Sequence, residues 1–241
     1  MVSEVPGSGR GSTAVNAENS AWSIAVWWLA FAATHIALSS SLLRPRLARL
    51  LGERGFAGLY SIVAFLTFGP LVATYWSNRH QGPALWDLAM VPGMHALAFC
   101  LGLLAFALLV ASFVQPSPTG MDPRAAITPL GVSRITRHPM LMSFVLWAAA
   151  HLLMNGFATD VAFFGGMAIY SFIGALHQDS RKRKGRADEL REFYASTSIL
   201  PFAAILTRRG SLVGDELPWG GFIAGAVVGY LIYWLHPILF G

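Results

Sequence analysis

Six apolar stretches, near residues 22–41, 56–75, 94–114, 139–155, 158–176 and 218–239, approach the length a helix needs to cross a bilayer core of ~30 Å. Inside hydrocarbon every backbone N–H and C=O must be satisfied within the structure, and a continuous helix does this segment by segment. Composition points the same way. The 241 residues are 55% hydrophobic and only 12% charged, where a soluble domain carries about 25% charge. The mean hydropathy is +0.54. The expected fold class is all-α, a polytopic helical membrane protein of about six transmembrane helices. The fourth and fifth stretches are short and joined by Asn155-Gly156, which reads as a tight helical hairpin.

Charge sets an expected orientation. The loop after the first stretch holds Arg44, Arg46, Arg49 and Arg54, and that after the third holds Arg124, Arg134 and Arg137. The loop after the fifth holds Arg181, Lys182, Arg183, Lys184, Arg186, Arg191, Arg208 and Arg209. All but Arg10 and Arg79 of the 17 basic residues therefore fall on one face. Such a bias places the basic loops in the cytoplasm and both termini outside, in a bacterial inner membrane or an intracytoplasmic or thylakoid equivalent. It also accounts for the pI near 9.8 without a nucleic-acid partner, for which no basic platform with interleaved aromatics is present. Residues 1–20 are rich in Gly and Ser, mixed in charge and aperiodic, and are expected to be a disordered tail. They lack the features of a cleavable signal, so the first span would act as a signal anchor, with residues 21–241 as one transmembrane domain. Cys100 is the single cysteine; it excludes an intramolecular disulfide and a covalently attached c-type haem.

Familiar catalytic motifs are missing. There is no HExxH, no GxSxG and no phosphate-cradling glycine loop. The carboxylates Asp160, Asp179, Asp188, Glu189 and Glu192 read as lying at span ends or in the basic loop, where none would serve a mid-membrane proton relay. The two halves share no motif that would mark an inverted repeat. What remains are histidines. His35 and His151 lie inside apolar runs, several residues from the nearest charge, and an imidazole in hydrocarbon must find a partner. That partner is either a neighbouring helix or a metal such as haem iron, which has two axial positions; the residues alone leave both open. His138 precedes Pro139 at the mouth of the fourth span, beside exposed helix N–H groups and Arg137. It is either helix-start punctuation or part of an anion site. His95, His177 and His236 fall at span ends, His177 beside Asp179, with His236-Pro237 expected to end the last helix; His80 falls in an outer loop. Trp147, one turn before His151, is either core packing or a face for a flat cofactor.

Several blocks agree in order and spacing with one known family. They are His35; Leu51-Gly-Glu-Arg54; Asn78-Arg-His-Gln-Gly82 with Leu85-Trp86; Val91-Pro-Gly-Met-His95; and Ile135-Thr-Arg-His-Pro139. Leu146-Trp147 with Ala150-His151, Gly174-Ala175 with Asp179 and Arg181, Thr197 to Ile205, and Leu235-His-Pro237 complete the set. On these the chain from about residue 30 to 241 resembles the NnrU family of membrane proteins.

The resemblance implies a haem b protein whose iron is held axially by His35 and His151. It implies one of two functions. The first is cis–trans isomerisation of a membrane-dissolved carotenoid, the activity of the carotene isomerases in this family. The second is an accessory role in nitrite and nitric oxide respiration, that is, in denitrification. The Asn78–His95 region and the Gly174–Arg181 block lie nearer the isomerase pattern. One departure matters: the isomerases carry a cysteine three residues before the second histidine, and here that position is Ala148. Cys100 is on another span and does not replace it. Counted from the basic ends of their spans, His35 lies about 9 Å deep and His151 about 18 Å deep, so their meeting at one iron requires tilt.

Overall fold

Helix after helix follows from the apolar runs. The computed structural model describes residues 9–120 and 127–240; Arg124 therefore lies outside the described residues. Six principal helices are α1 Gly9–Ser39, α2 Leu43–Ser77, α3 Met94–Val114, α4 Pro139–Met154, α5 Ala158–Gly185 and α6 Trp219–Phe240. Short helical turns at Val132–Ile135, Arg191–Ser196 and Ala203–Leu206 lie between them. Five of the six, counting Glu18–Ser39 within α1, are long and apolar enough to span a bilayer. α4, with 16 residues, is about 24 Å long and shorter than a full span.

Four boundaries differ from the sequence expectation. Residues 1–8 lie outside the described residues, but 9–20, expected as an irregular tail, are helical: a nucleated helix extends into adjoining residues at little cost. The arginine-bearing segment 43–51 is helical instead of a loop, and is separated from the apolar part of α2 by Gly52 at φ 72 and ψ 163. α5 continues past the apolar run through Arg181–Lys184, good helix formers, to Gly185. Pro237 does not stop α6, which runs on to Phe240; so close to the end, the proline removes one hydrogen bond where few remain to be lost.

The chain forms two compact units. The first comprises Met1–Met94 and His151–Met167. Here α1 and α2 pack through Phe31 and Phe68 (ring centroids 5.2 Å apart) and Trp28 and Phe68 (6.1 Å), with Ile24 and Leu71 fully buried. The loop after α2 is tied to the α4–α5 turn. Leu85 N–H donates to Gly156 O at 2.8 Å, Ala158 N–H to Pro83 O at 3.0 Å, and Trp86 Nε1–H to Leu152 O at 2.7 Å. A Cβ on Gly156 would lie 2.1 Å from Trp86 O, so only glycine lets the loop pass this closely over the turn.

The second unit comprises His95–Ala150 and Ala168–Gly241. Gly221, Gly225 and Gly229 form one stripe on α6 against Phe106, Ala107, Ala111 and Val114 of α3. A Cβ at Gly225 would sit 2.3 Å from Phe106 O; small residues bring the backbones together as in other membrane helix pairs. Leu108, Ala111, Val132, Met142 and Ala175 form the core. Arg134 grips Glu216 with two hydrogen bonds, at 2.6 and 3.0 Å, and the same carboxylate accepts from Gly131 N–H at 3.1 Å. The Arg134 hydrogen bonds and then the Gly131 N–H hold the Glu216 carboxyl below its usual range.

Candidate functional site

His35 and His151 both belong to the first unit, linked through an aromatic seam. His35 lies one turn after Phe31 on α1; their ring centroids are 4.1 Å apart, and that of Tyr60 on α2 is 4.5 Å from His35. Trp28 precedes His35 by two turns, about 11 Å of helix axis. It contacts Phe31 at 5.9 Å and Phe163 at 6.1 Å. Phe163 meets Phe164 at 5.2 Å, and Phe164 stacks on His151 at 4.4 Å and 21°. A π-helical segment, Val161–Gly165, shapes this part of α5. Widened turns of this kind re-aim carbonyls, and Phe163 O accepts the Trp28 indole N–H at 3.0 Å. Gly166 completes the fit, for a Cβ there would fall 2.3 Å from Trp28 Cδ1.

These residues suit haem in their chemistry. Imidazole nitrogen is a ligand that would hold haem iron, and a macrocycle would pack its flat apolar faces on aromatic rings. Two imidazoles in one unit, each against aromatic rings, are a donor set of that kind. The seam of rings Phe31, Trp28, Phe163 and Phe164 runs between His35 and His151.

Beside the seam is a polar triad that sequence reasoning did not assemble. Tyr75 stacks on Phe163 at 4.1 Å and 10°, and its hydroxyl donates to Asp160 Oδ1 at 2.9 Å. His80 Nδ1 shares a hydrogen bond of 3.0 Å with Asp160 Oδ2. Asp160, expected at a span end, is fully buried. The reason is that the 78–82 loop folds over it: Gln81 N–H donates to Thr159 Oγ1, and Thr159 Oγ1–H to Gln81 O, both at 3.0 Å. His80 adopts φ 57 there, a conformation these bonds hold against its cost.

The second unit contains its own buried cluster. His138 is 3% exposed and Asp179 6%. His138 is thus more deeply buried than His35 and His151, which lie inside apolar runs yet are only half-buried. His138 Nε2 meets Asp179 Oδ1 at 2.7 Å, and Arg137 Nε stands 3.3 Å from Asp179 Oδ2. Two of the quoted sequence blocks are joined at this point. Arg137 N–H donates to Ser198 O at 2.8 Å, Thr136 Oγ1 to Ile199 O at 2.6 Å, and Phe202 N–H to Ile135 O at 2.8 Å. Pro139 opens α4 as expected. Burial pushes the Tyr194 phenol up to about 12, with Asp179 adding to it. His80, His95, His236 and Cys100 are exposed, and His177 is half-buried on α5.

Apolar helices of spanning length and a small-residue helix seam define a polytopic α-helical membrane protein. Residues 24–241 match the family described as NnrU protein, and the chain belongs to that family. The 15-cis-zeta-carotene isomerase, chloroplastic, of Arabidopsis thaliana is 30% identical over 221 residues, covering 88% of this chain and 59% of the plant protein. The protein of the same name from Zea mays is 29% identical over 219 residues, covering 87% of this chain and 58% of its own length. The chain thus spans under three-fifths of the curated relatives it matches. No solved structure matches it significantly.

Proposed function

We propose that this protein is an integral-membrane cis–trans isomerase of a carotenoid, related in reaction to the 15-cis-zeta-carotene isomerases, with haem b held by His35 and His151. The similarity over 88% of the chain to such an isomerase carries this reading. Turning a double bond adds and removes no atoms, so the site needs no acid, base or nucleophile. It needs to take an extended hydrocarbon out of the lipid, align it and keep water away. Trp28, Phe31, Phe68, Phe163 and Phe164 offer apolar faces suited to a polyene. The indole of Trp28 is fixed by its hydrogen bond to Phe163 O, which makes this wall rigid enough to orient a substrate. Haem, when bound, supplies a reducible iron able to share electron density with conjugated double bonds. Each ~1.4 kcal/mol removed from the rotation barrier gives about tenfold in rate. The basic loops face the cytoplasm in this reading.

The test is expression in bacteria that accumulate 15-cis-ζ-carotene, kept in the dark. Conversion of the 15-cis bond to trans is expected, and reduced, haem-loaded protein should do it in vitro. Absence of turnover by that preparation would overturn the isomerase reading while leaving haem binding to be judged spectroscopically.

A further inference from the structure

We infer that the Arg137–Tyr194–Arg183 cluster of the second unit is a binding site for a phosphate-bearing ligand, a tetrahedral oxyanion taken between two guanidinium groups. The first ground is an unmet demand. Arg137 is 7% exposed, yet its Nε and Nη1 are buried and have no hydrogen-bond partner. Asp179 forms an ion pair with Arg137 but does not complete its hydrogen bonds. Its Oδ1 is engaged by His138 at 2.7 Å, and its Oδ2 stands 3.3 Å from Arg137 Nε in poor hydrogen-bond alignment. Three of the five guanidinium N–H donors, those on Nε and Nη1, are therefore unused, which is costly in a buried place.

The second ground is the arrangement of charge. The guanidinium carbons of Arg137 and Arg183 lie 4.9 and 4.0 Å from the centroid of the same Tyr194 ring, and so at most about 9 Å apart, a separation a bound oxyanion can bridge by charge-assisted hydrogen bonds. Arg209 adds a third positive field at Arg137. Burial first, then Arg183 and Arg209 against the opposing pull of Asp179, lowers the Arg137 pKa from its ordinary value; an anion there would relieve both effects. Arg183 is exposed and Arg137 is not, so the ligand enters on the Arg183 side. The α4 N-terminus begins two residues beyond Arg137 at Pro139, a further favourable end for negative charge. The same chemistry is offered by a lipid headgroup and by a soluble phosphate ester.

The experiment uses the full chain, purified in detergent and delipidated. In one arm inorganic phosphate and pyrophosphate are titrated at constant ionic strength, and the thermal midpoint is followed. In the other, phosphatidic acid is added and its retention is read by native mass spectrometry against phosphatidylcholine. A saturable rise in midpoint with the soluble anions identifies a soluble phosphate ester; selective retention of phosphatidic acid alone identifies a headgroup. In either case Arg183→Gln, at an exposed position, should weaken binding roughly tenfold. Arg137→Lys, which keeps the charge but loses the fork, should weaken it as well. No response in either arm, or responses unchanged in Arg183→Gln, overturns the proposal and leaves Arg137 as a strut.

Discussion

At the scale of single residues, His35 and His151 carry the cofactor proposal, and their substitution tests it directly. Two imidazoles give a strong ligand field, so purified protein should show a six-coordinate low-spin haem b spectrum. His35→Ala and His151→Ala should each lose most of the Soret absorbance, while the exposed His95→Ala should keep it. Cys100→Ser should leave the spectrum unchanged, since Cys100 is exposed on α3. A double histidine variant with a wild-type Soret band would sink the assignment. Apolar context drew attention to both histidines in the sequence. The same criterion passed over His138, Asp160 and Asp179, because burial of a polar residue at a span end depends on which loop covers it. Asp160 is covered by the 78–82 loop and Asp179 is paired with Arg137 and His138. The only sequence signal was the presence of potential partners, with no indication of which ones would meet.

At the scale of elements, close approach decides more than hydrophobicity does. The glycines of α6 recur every fourth residue, a spacing visible in the sequence, but their partners on α3 are a matter of packing. Gly225→Leu should force the two helices apart and lower stability by about 1–3 kcal/mol, read as a reduced thermal midpoint in detergent; an unchanged midpoint would mean that this seam contributes little. The Arg134–Glu216 staple predicts an acid effect. Glu216 has its folded-state pKa lowered below the ordinary 4.5 by Arg134 and then Gly131. Its contribution is therefore full above about pH 4.5 and is lost as pH falls through the depressed value. The thermal midpoint should fall on acidification below that point, and Glu216→Gln should flatten this part of the profile. The tight Asn155-Gly156 turn was legible from its residue types. The π-helical start of α5 was not, because its widened turn accompanies an indole arriving from a distant helix.

At the scale of the whole molecule, the lopsided distribution of basic residues predicts orientation. In a Cys100→Ser background, Asp87→Cys should react with a membrane-impermeant maleimide in intact cells, and Lys184→Cys only after permeabilisation. The reverse pattern would invert the topology. The membrane class, the approximate places of the six apolar helices and the family blocks were all determined by sequence alone, because hydropathy and spacing act locally and need no knowledge of neighbours. Helix ends were less legible: α1 and α5 outrun their apolar stretches, since helical hydrogen bonding continues wherever residues tolerate it. Only the tertiary structure decided that His35 and His151 share one unit through a seam of rings, and that Arg137 is buried with donors unused. Each of these depends on contacts between residues far apart in the chain, and the free energy of a buried polar or aromatic group is set by those contacts rather than by its sequence neighbours.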